Sequence, residues 1–489
     1  MKFSEIAAGI GNIGQMIDTD KEITDICYDS RKVRPGCLFV AINGSNTDGS
    51  RYIPDALKAG AVAVLTEKPL ESLSLPEGTG YIKTDNALVA MAQASCRFFD
   101  YPSKKLKLIG ITGTSGKTTV SHIVYSVLQN SGIKSGLIGT INVVIDGAAT
   151  QSAHTTPLSR ELQEIFANMV ARKVGACVME CSSHALDQGR VEGCDFDICA
   201  FLNIARDHLD YHKTAEAYKE AKLKLFTSYA RRKTACVVNL DDPFSREIIS
   251  RCRGEVITFS TSGNADVITR DAKVCADHVE FTLCIKGACV PVYFHMGGDF
   301  NVSNAVAAAA ICYANGISLP DIKKGIELCK PVCGRFQAVR TDKPFSVIVD
   351  YAHTPDELEK LLISARKITK GRLLTLFGCG GNRDRGKRPI MGRIAVSNSD
   401  VSVISSDNPR YEEPMEIIRE ILPGIPEDMK DKTTIEPDRR KAIRQILLEA
   451  RPDDVVVIAG KGHEGYQEIR GVRLDFNDLK IAEDILKTI

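Results

Sequence analysis

The stretch LKLIGITGTSGKTTVSHIVYSVLQNSG, residues 106–132, decides how the central part of this chain folds. It begins as an apolar strand, passes through a loop rich in glycine, serine and threonine, and continues as a helical pattern that Gly132 ends. Such a loop lets backbone N–H groups approach phosphate oxygens, and the following helix directs its positive end toward them. Lys117 and Thr118 stand where they can reach the phosphates and hold Mg²⁺. We therefore predict an ATP site here.

The spacing of this loop is unusual. The common phosphate-binding pattern places a glycine five residues before the glycine of Gly-Lys. That position is Ile111 here, and the first loop glycine is Gly113, three residues before Gly116. An ordinary polar turn is the alternative, but four matched positions between a strand and a helix favour a phosphate loop. The predicted ATP-binding residues of the loop are Gly113, Thr114, Ser115, Gly116, Lys117, Thr118 and Thr119.

Length and composition describe a large globular chain without a charge bias. Its 489 residues exceed one core and suggest about three domains. Lysine and arginine number 63 against 62 acidic residues, so no global field favours nucleic acid or an anionic membrane. The first residues form neither a basic leader nor a long apolar segment, so we expect a cytoplasmic protein without membrane insertion. Its 16 cysteines include no Cys-x-x-Cys pair, and we expect them to be reduced and buried.

Three regions of the chain differ in pattern. Residues 1–103 mix strand-like runs such as CLFVAI with a helical stretch, IPDALKAG, and end at a lysine-rich linker. In residues 104–333 apolar strands alternate with helical periods, which is typical of a parallel sheet. The same rhythm restarts in residues 334–489. We therefore predict an α/β fold of three domains: an N-terminal α/β domain, a central P-loop-type ATPase domain with a parallel sheet, and a C-terminal Rossmann-like domain.

The carboxyl ends of the predicted strands carry residues that suit catalysis, and ligands of parallel sheets bind at that edge. Glu180 ends the strand VGACVME, where a buried acid is costly unless it is paired or binds a cation. Mg²⁺ is bound by such carboxylates. A carboxylate that only caps the following turn is an equally good interpretation.

Two other central motifs are ambiguous when each is taken alone. The segment NIARDHLDYH brings together Asp207, His208, Asp210 and His212, which fits either a transition metal or an ordinary polar loop. Lys222, in AYKEAKLKLF, has the pattern of a surface lysine on a helix.

The strand ends of the third region supply a polar set that suits an amino-acid zwitterion. Arginine can bind a carboxylate with two hydrogen bonds, and carboxylates can bind an ammonium. Solvated loops are the alternative for any one of these motifs. The residues singled out here are Asp350, His353, Arg383, Asp407, Asn408, Arg410, Gly460 and Glu464.

Taken in order, these motifs resemble the Mur ligases, the ATP-dependent amide ligases of peptidoglycan precursor synthesis. The resemblance covers the whole chain and includes DSRKVRPGCLFVA, GTSGKTT, HTTP, ECSSHALDQGRV, RDHLDYH, YKEAKLKLF, NLDDP, DFNVSNAVAA, GRFQ, DYAHTPD, GCGGNRD, DNPR and GKGHE. This family is known for the shorter Gly-Thr-x-Gly-Lys-Thr loop, which accounts for the spacing of the loop glycines. Within the family the chain resembles the member that adds the third residue of the stem peptide.

The resemblance implies a reaction and a metal. ATP phosphorylates the D-glutamate side-chain carboxylate of UDP-N-acetylmuramoyl-L-Ala-D-Glu, an amine attacks the acyl phosphate, and the tetrahedral intermediate loses phosphate. The implied catalytic residues are Lys117, Glu180, His208 and Lys222. Mg²⁺ would be held by Thr118, Glu180, His208 and Lys222, the last as N6-carboxylysine, a carbamate formed with CO₂.

The resemblance also assigns the remaining substrate contacts. Residues 1–103 would bind the UDP-sugar, and the other two domains would close on ATP and the amino acid by a hinge motion of a monomeric enzyme. ATP would also contact Asn301, Arg335, Asp350 and His353. The UDP-muramoyl dipeptide would contact Ser30, Thr155, Thr156, Ser182 and Arg190, and the diaminopimelate would contact Arg383, Asp407, Asn408, Arg410, Gly460 and Glu464.

The tetrapeptide DNPR indicates which amino acid is added. In this family, arginine after Asp-Asn-Pro is associated with meso-diaminopimelate, whose second carboxylate Arg410 could bind with two hydrogen bonds. A site in which that arginine stays unpaired would reject lysine. The alternatives are the same ligase adding L-lysine, a relative adding D-Ala-D-Ala, a folylpolyglutamate synthetase-type ligase, and an inactive nucleotide-binding regulator.

Overall fold

The structure is a computed structural model that describes residues 1–44 and 47–489. The first part of the chain forms a five-stranded sheet with three short helices. Its elements are α1 (Phe3–Ala7), β1 (Ile13–Ile17), β2 (Asp25–Cys27), β3 (Cys37–Ala41), α2 (Ile53–Lys58), β4 (Ala63–Thr66), β5 (Gly80–Thr84) and α3 (Ala87–Phe98). The strand order is β1-β5-β4-β3-β2, and all neighbours are parallel except β1 and β5.

The middle of the chain forms one sheet of eleven strands. Its strands are β6 (Lys107–Thr112), β7 (Ser135–Ile138), β8 (Asn142–Ile145), β9 (Ala148–Gln151), β10 (Ala176–Glu180), β11 (Ile198–Phe201), β12 (Ala235–Asn239), β13 (Glu255–Ser260), β14 (Val267–Val274), β15 (Val279–Ile285) and β16 (Ala288–Phe294). Its helices are α4 (Lys117–Asn130), α5 (Ser159–Ala171), α6 (Ser183–Asp187), α7 (Leu209–His212), α8 (Ala215–Thr227), α9 (Ser245–Arg251), α10 (Phe300–Ala314) and α11 (Leu319–Glu327).

Seven neighbouring strands of this sheet are parallel, and both of its edges are antiparallel. The order is β16-β15-β14-β13-β12-β11-β6-β10-β7-β8-β9. Strands β8 and β9 extend one edge as antiparallel neighbours, and β15 and β16 extend the other. The phosphate loop follows β6, so it lies at the carboxyl end of the sheet, between β11 and β10.

Helices cover both faces of the central sheet. Helices α4, α10 and α11 pack on one face around Val124, Ala308 and Ile322, and α5, α8 and α9 pack on the other around Phe166 and Phe226. A strand buried on both faces needs apolar side chains at successive positions, which is why the predicted central strands read as continuous apolar runs.

The last part of the chain forms a six-stranded sheet and a separate hairpin. Its strands are β17 (Gln337–Ala338), β18 (Ser346–Asp350), β19 (Leu373–Phe377), β20 (Val401–Ile404), β21 (Thr433–Ile435), β22 (Val455–Ala459), β23 (Tyr466–Ile469) and β24 (Val472–Asp475). Its helices are α12 (Pro355–Ile368), α13 (Lys387–Asn398), α14 (Pro414–Ile421), α15 (Arg439–Glu449) and α16 (Asp478–Leu486). The order β17-β18-β22-β19-β20-β21 is parallel apart from β17.

This last sheet is also a doubly covered layer. Helices α12, α13 and α14 contribute to the core on one face, and α15 and α16 contribute to the core on the other. The loops after β18, β19, β20 and β22 therefore meet at one edge, as expected for a Rossmann-like sheet. The predicted fold, three α/β domains with the phosphate loop in the central one, is confirmed.

The cysteine prediction is wrong at one pair. Cys284 and Cys289 face each other across the β15–β16 hairpin and form a disulfide, with their Cα atoms 4.1 Å apart. Directly opposite residues of an antiparallel pair bring their Cβ atoms close enough for such a bond. Cys289 is also exposed rather than buried. The other 14 cysteines are free, and most are buried.

In the described part of the chain, no helix is both long enough and apolar enough to cross a membrane.

Candidate active site

The phosphate loop is braced by Asn203, which lies just after the neighbouring strand β11. The N–H of Thr114 donates to the carbonyl of Asn203 at 3.0 Å, and the N–H of Ser115 donates to the Asn203 Oδ1 at 3.0 Å. Gly116 has a φ of 86°, and a Cβ there would lie 2.5 Å from Oδ1 of Asn304. Glycine is therefore required at this position by conformation and by space.

Lys117, the first residue of α4, folds back over the loop. Its Nζ donates to the carbonyls of Gly113 at 2.8 Å and Thr114 at 2.9 Å. Desolvation lowers the pKa of this ammonium, and the nearby Glu180 carboxylate opposes that shift. The lysine is thus held at the loop itself, where it can neutralise phosphate charge.

Glu180 ends β10 and is completely buried. Its Oε2 accepts from the hydroxyls of Thr118 at 3.1 Å and Thr140 at 3.0 Å, and its Oε1 accepts from the N–H of Thr140 at 2.9 Å. Ser182, not Glu180, caps the following turn, because its Oγ accepts from the N–H of Ala185. The capping interpretation of Glu180 is therefore wrong.

These contacts fit a hard cation. Glu180 forms no ion pair with a residue of the described chain. A bound cation would supply the positive charge that compensates this buried carboxylate. The Thr118 hydroxyl and the Glu180 carboxylate are adjacent oxygen donors of the kind that Mg²⁺ prefers. Gly139 leaves this carboxylate its room, since a Cβ there would lie 2.4 Å from Oε1.

Lys222 lies inside the protein rather than on its surface. It is 1% exposed on α8, and its Nζ donates to the Gly113 carbonyl at 2.8 Å. Its Nζ also lies 4.5 Å from the centre of the Tyr218 ring. Burial, and then the charge of Lys117, hold the pKa of Lys222 well below its usual value. The interpretation as an ordinary surface lysine is wrong.

His208 belongs to a cluster of aromatic and imidazole rings at the start of α7. Its backbone is left-handed, with a φ of 53°, and its ring lies 4.7 Å from the ring of His184. The Nε2 of His208 is 3.3 Å from Oδ2 of Asp207. Desolvation lowers its pKa, so the neutral imidazole that metals bind is favoured. His212 is instead buried against Ser183, at 3.0 Å.

A cavity of about 370 Å³ lies beside the loop, between the central and last sheets. Its lining includes Ser115, Asn304 and Glu357. Nη2 of Arg335 donates to the Thr118 hydroxyl at 3.4 Å, and its buried Nε has no hydrogen-bond partner in the described chain. A guanidinium with an unused donor beside the phosphate loop suits a phosphate ligand.

The other residues predicted to contact ATP differ in whether they line this cavity. Asp350 lines the cavity and accepts from the N–H groups of Phe336 and Ala352, and burial raises its pKa to about 6. Asn301 is fully buried, and its Oδ1 accepts from the amide of Asn304, so it supports the wall instead of lining it. The ring of His353 packs 4.6 Å from that of Tyr351, outside the lining of this cavity, and its contact with ATP stays a prediction.

Four residues predicted to hold the muramoyl peptide surround the Glu180 strand end. The hydroxyl of Thr155 is 3.0 Å from that of Thr140, and the hydroxyl of Thr156 donates to the Glu180 carbonyl at 2.8 Å. The Ser182 N–H donates to Thr156 at 3.0 Å, and Arg190 donates to the carbonyl of the same threonine at 2.8 Å.

Ser30 belongs to the N-terminal domain, in a short 3₁₀ helix. That domain contacts the central one through the Tyr28 hydroxyl, which donates to Glu161 at 2.8 Å. It also does so through Arg160, which pairs with Asp25 at 2.8 Å. No hydrogen bond in the described chain joins Ser30 to the residues around Glu180.

The residues predicted to bind diaminopimelate meet at the edge of the last sheet. The amide nitrogen of Asn408 donates to Oε2 of Glu464 at 2.8 Å. Gly460 has a φ of 119°, and a Cβ there would lie 2.7 Å from the Asp407 carboxylate. Arg383 lies next to the glycine-rich loop after β19, near Gly380.

Arg410 is held by the β23–β24 hairpin. Its backbone has a φ of 52° and forms a bridge in which its N–H donates to the Glu468 carbonyl at 3.0 Å and its carbonyl accepts from the N–H of Arg470. Its Nη1 donates to the Gly381 carbonyl at 2.8 Å, and its Nε lies 3.6 Å from the Glu468 carboxylate. The guanidinium is therefore oriented from two sides.

Sequence reasoning missed several residues of this site. Thr140 and His184 contact predicted site residues. Thr140 stands outside the quoted motifs, whereas His184 lies inside ECSSHALDQGRV but had no assigned role. Lys461 and Glu468 contact Asn408 and Arg410. Lys461 lies inside the quoted GKGHE motif, so the motif itself was the available signal.

Family models match all three parts of the chain. The Mur ligase family catalytic domain matches residues 22–98, the Mur ligase middle domain matches residues 111–312, and the Mur ligase glutamate ligase domain matches residues 334–462. The chain belongs to the Mur ligase family.

Curated relatives are similar over nearly their full length. The UDP-N-acetylmuramoyl-L-alanyl-D-glutamate--2,6-diaminopimelate ligase 1 of Clostridium acetobutylicum is 43% identical, covering 96% of each chain. The corresponding ligase of Halalkalibacterium halodurans is 42% identical, covering 95% of each chain.

Solved structures show the same architecture. A UDP-N-acetylmuramoyl-L-alanyl-D-glutamate--2,6-diaminopimelate ligase superposes with a TM-score of 0.69 at 31% identity, covering 100% of this chain and 99% of that one. The folylpolyglutamate synthase of Mycobacterium tuberculosis gives a TM-score of 0.62 at 16% identity over 76% of this chain and 92% of that one, which shows a shared fold.

Proposed function

We propose that this chain is the ATP-dependent ligase that joins meso-diaminopimelate to the D-glutamate side-chain carboxylate of UDP-N-acetylmuramoyl-L-Ala-D-Glu in peptidoglycan precursor synthesis. The observation that supports this chemistry is that three ionisable side chains meet at the phosphate loop. Lys117 and Lys222 both donate to the Gly113 carbonyl, and Glu180 accepts from Thr118. The curated relatives that match nearly the whole chain carry the name of this ligase.

The proposed reaction begins at the phosphate loop. The loop N–H groups and Lys117 bind the phosphates of ATP, and Arg335 approaches the same point from the last domain. Mg²⁺, held by Thr118, Glu180 and His208, would supply charge neutralisation for the phosphoryl group as it moves to the D-glutamate carboxylate. The acyl phosphate then reacts with the amine, and inorganic phosphate leaves.

The surroundings of Lys222 suit carbamylation. Only a neutral amine attacks CO₂, and burial favours the neutral amine of this residue. The nitrogen of the neutral amine forms a bond to the carbon of CO₂ and releases one proton, so that a neutral group becomes an anion. The resulting carbamate beside Gly113 would be a further oxygen ligand for Mg²⁺.

The proposed amino-acid site selects a zwitterion with a second carboxylate. Arg410 would bind that carboxylate, and Glu464 would bind the neighbouring ammonium. L-Lysine lacks this carboxylate, so its binding would leave Arg410 paired only with Glu468 and the Gly381 carbonyl.

Release of ADP tests this proposal, with UDP-N-acetylmuramoyl-L-Ala-D-Glu, ATP and Mg²⁺ in the presence of either amino acid. We expect turnover with meso-diaminopimelate and little with L-lysine. Turnover with L-lysine but not with meso-diaminopimelate would support the ligase reaction but overturn the role of Arg410. No release of ADP with either amino acid, together with turnover of a folate and glutamate, would favour the folylpolyglutamate-type alternative. A cytoplasmic location and a monomeric state remain predictions.

A further inference from the structure

Lys461 is a completely buried lysine at the centre of the amino-acid site. It follows β22 directly after Gly460, and its side chain is 0% exposed. Its Nζ donates to Oδ1 of Asn408 at 3.1 Å and to Oε2 of Glu464 at 3.1 Å. Burying an ammonium is costly unless partners compensate it, and its two partners here are both residues of the proposed site.

The contacts of Lys461 determine which atoms of the site remain available. Oδ1 of Asn408 accepts from Lys461 and from the N–H of Glu468 at 2.9 Å, so the amide oxygen is turned inward. The amide nitrogen donates one hydrogen to Oε2 of Glu464 and keeps its second. Oε2 of Glu464 thus receives both internal bonds, and Oε1 receives none in the described chain.

The two available groups are complementary to an amino-acid zwitterion. One N–H of Asn408 can donate to a carboxylate, and Oε1 of Glu464 can accept from an ammonium. We propose that Lys461 is a positioning residue that fixes the Asn408 amide and the Glu464 carboxylate for the zwitterionic end of the incoming diamino acid. This inference rests on the proposed function.

The variant Lys461→Met tests the inference, because methionine keeps most of the side-chain volume and removes the donor. We expect the KM for meso-diaminopimelate to rise about 30-fold, the effect of losing charge-assisted hydrogen bonds. The KM values for ATP and for the UDP-muramoyl dipeptide should change less than about 2-fold, because neither substrate contacts this residue in the proposed site.

A second readout separates positioning from general damage. The analogue 2-aminopimelate has the second carboxylate but no second ammonium, so the wild-type enzyme should use it poorly. Lys461→Met should discriminate less between the two compounds, since Glu464 is no longer held for the ammonium. Arg372→Met is the matched control, because it removes a partly buried ion pair with Asp454 elsewhere in the same domain. It should lower the Tm and leave discrimination unchanged.

Lys461→Met leaves the Glu464 charge without its lysine, so this variant could fail to fold. Comparing the single variant Glu464→Gln with the double variant Lys461→Met/Glu464→Gln avoids that problem. The double variant should still have a higher KM for the diamino acid than Glu464→Gln alone. An unchanged KM, or equal rises in all three KM values, would overturn the role of Lys461. If the wild-type enzyme releases no ADP with the diamino acid, the proposed function is overturned, and this inference with it.

Discussion

Lys222 is buried beside another cation, where the ammonium form of a lysine is unfavourable. Its helix carries the nitrogen into the interior, next to Lys117 and the phosphate loop. Lys222→Ala should lower kcat by at least about 100-fold, the effect of losing one group that stabilises the transition state electrostatically. If the working group is a carbamate, acetate or formate should restore part of the activity of the variant. The measurement is the rate of ADP release with and without the added carboxylate.

Lys224→Ala is the control for this experiment. Lys224 lies on the same helix, but its side chain is 37% exposed and pairs with Asp187 at 2.7 Å. Surface pairs of this kind contribute little, so its kcat should stay within about 3-fold of wild type. Equal losses in both variants, or no effect of acetate and formate, would contradict the carbamate.

Asp350 should make stability depend on pH in a defined direction. Burial raises its pKa from 3.8 to about 6, so between these values the folded state binds a proton that the unfolded chain releases. Its contribution to the free energy of unfolding is complete below pH 3.8 and is lost as the pH rises through 6. The loss is about 3 kcal/mol, from ~1.4 kcal/mol per pKa unit.

Unfolding of wild type and Asp350→Asn between pH 4 and pH 7 measures this contribution. The difference in free energy of unfolding, wild type minus variant, should fall across that range, because asparagine does not titrate. Two curves that stay parallel would show that Asp350 ionises at its ordinary pKa in the folded protein.

At the scale of residues, the sequence predicts chemistry better than environment. The type and spacing of Lys117 and Thr118 suffice to indicate a phosphate site, because the backbone geometry of that loop is local. Burial of Lys222 and the Thr140 contact to Glu180 depend on how distant strands and helices pack. No local pattern contains that information, so both could be learned only from the structure.

The β23–β24 hairpin contributes to the site more than to the core. Its outer strand is exposed at every position, yet the hairpin pairs with the backbone of Arg410, and Gln467 donates to the Asp407 carbonyl at 2.7 Å. Replacing residues 467–474 by Asn-Gly should raise the KM for meso-diaminopimelate by roughly 10-fold or more, because Arg410 loses the contacts that orient it.

Two accompanying measurements make this result specific. The KM for ATP and the Tm should change little, since no hydrogen bond of the removed residues in the described chain reaches the phosphate loop or the main sheets. A large fall in Tm would show that the hairpin stabilises the domain as a whole, and an unchanged KM would remove it from the site.

At the scale of elements, the strands and the long helix after the loop were predictable from periodicity. The run that Gly132 was predicted to end is α4, Lys117–Asn130. The antiparallel edges β8–β9 and β15–β16 were not predicted, because their alternating or polar strands lack the continuous apolar run that marks a buried parallel strand. The disulfide was missed for the same reason, since it depends on the register of β15 with β16.

At the scale of the whole molecule, the phosphate loop and the proposed amino-acid site lie on different domains. The acyl phosphate and the amine must come together to react, so we expect the domains to close when ATP and the UDP-muramoyl dipeptide are bound. Small-angle scattering should show a smaller radius of gyration with both substrates than without them. Superimposable profiles would contradict closure, and an effect of ATP alone would assign it to the nucleotide.

Arg335 gives this closure a consequence for the cell's energy supply. The residue follows the boundary predicted between the central and last domains, but its guanidinium reaches Thr118 in the phosphate loop. Any opening between the two domains would withdraw that cation from the nucleotide. ATP bound to an open enzyme would then lack the cation that we propose assists phosphoryl transfer, so an enzyme without its other substrates would hydrolyse little ATP.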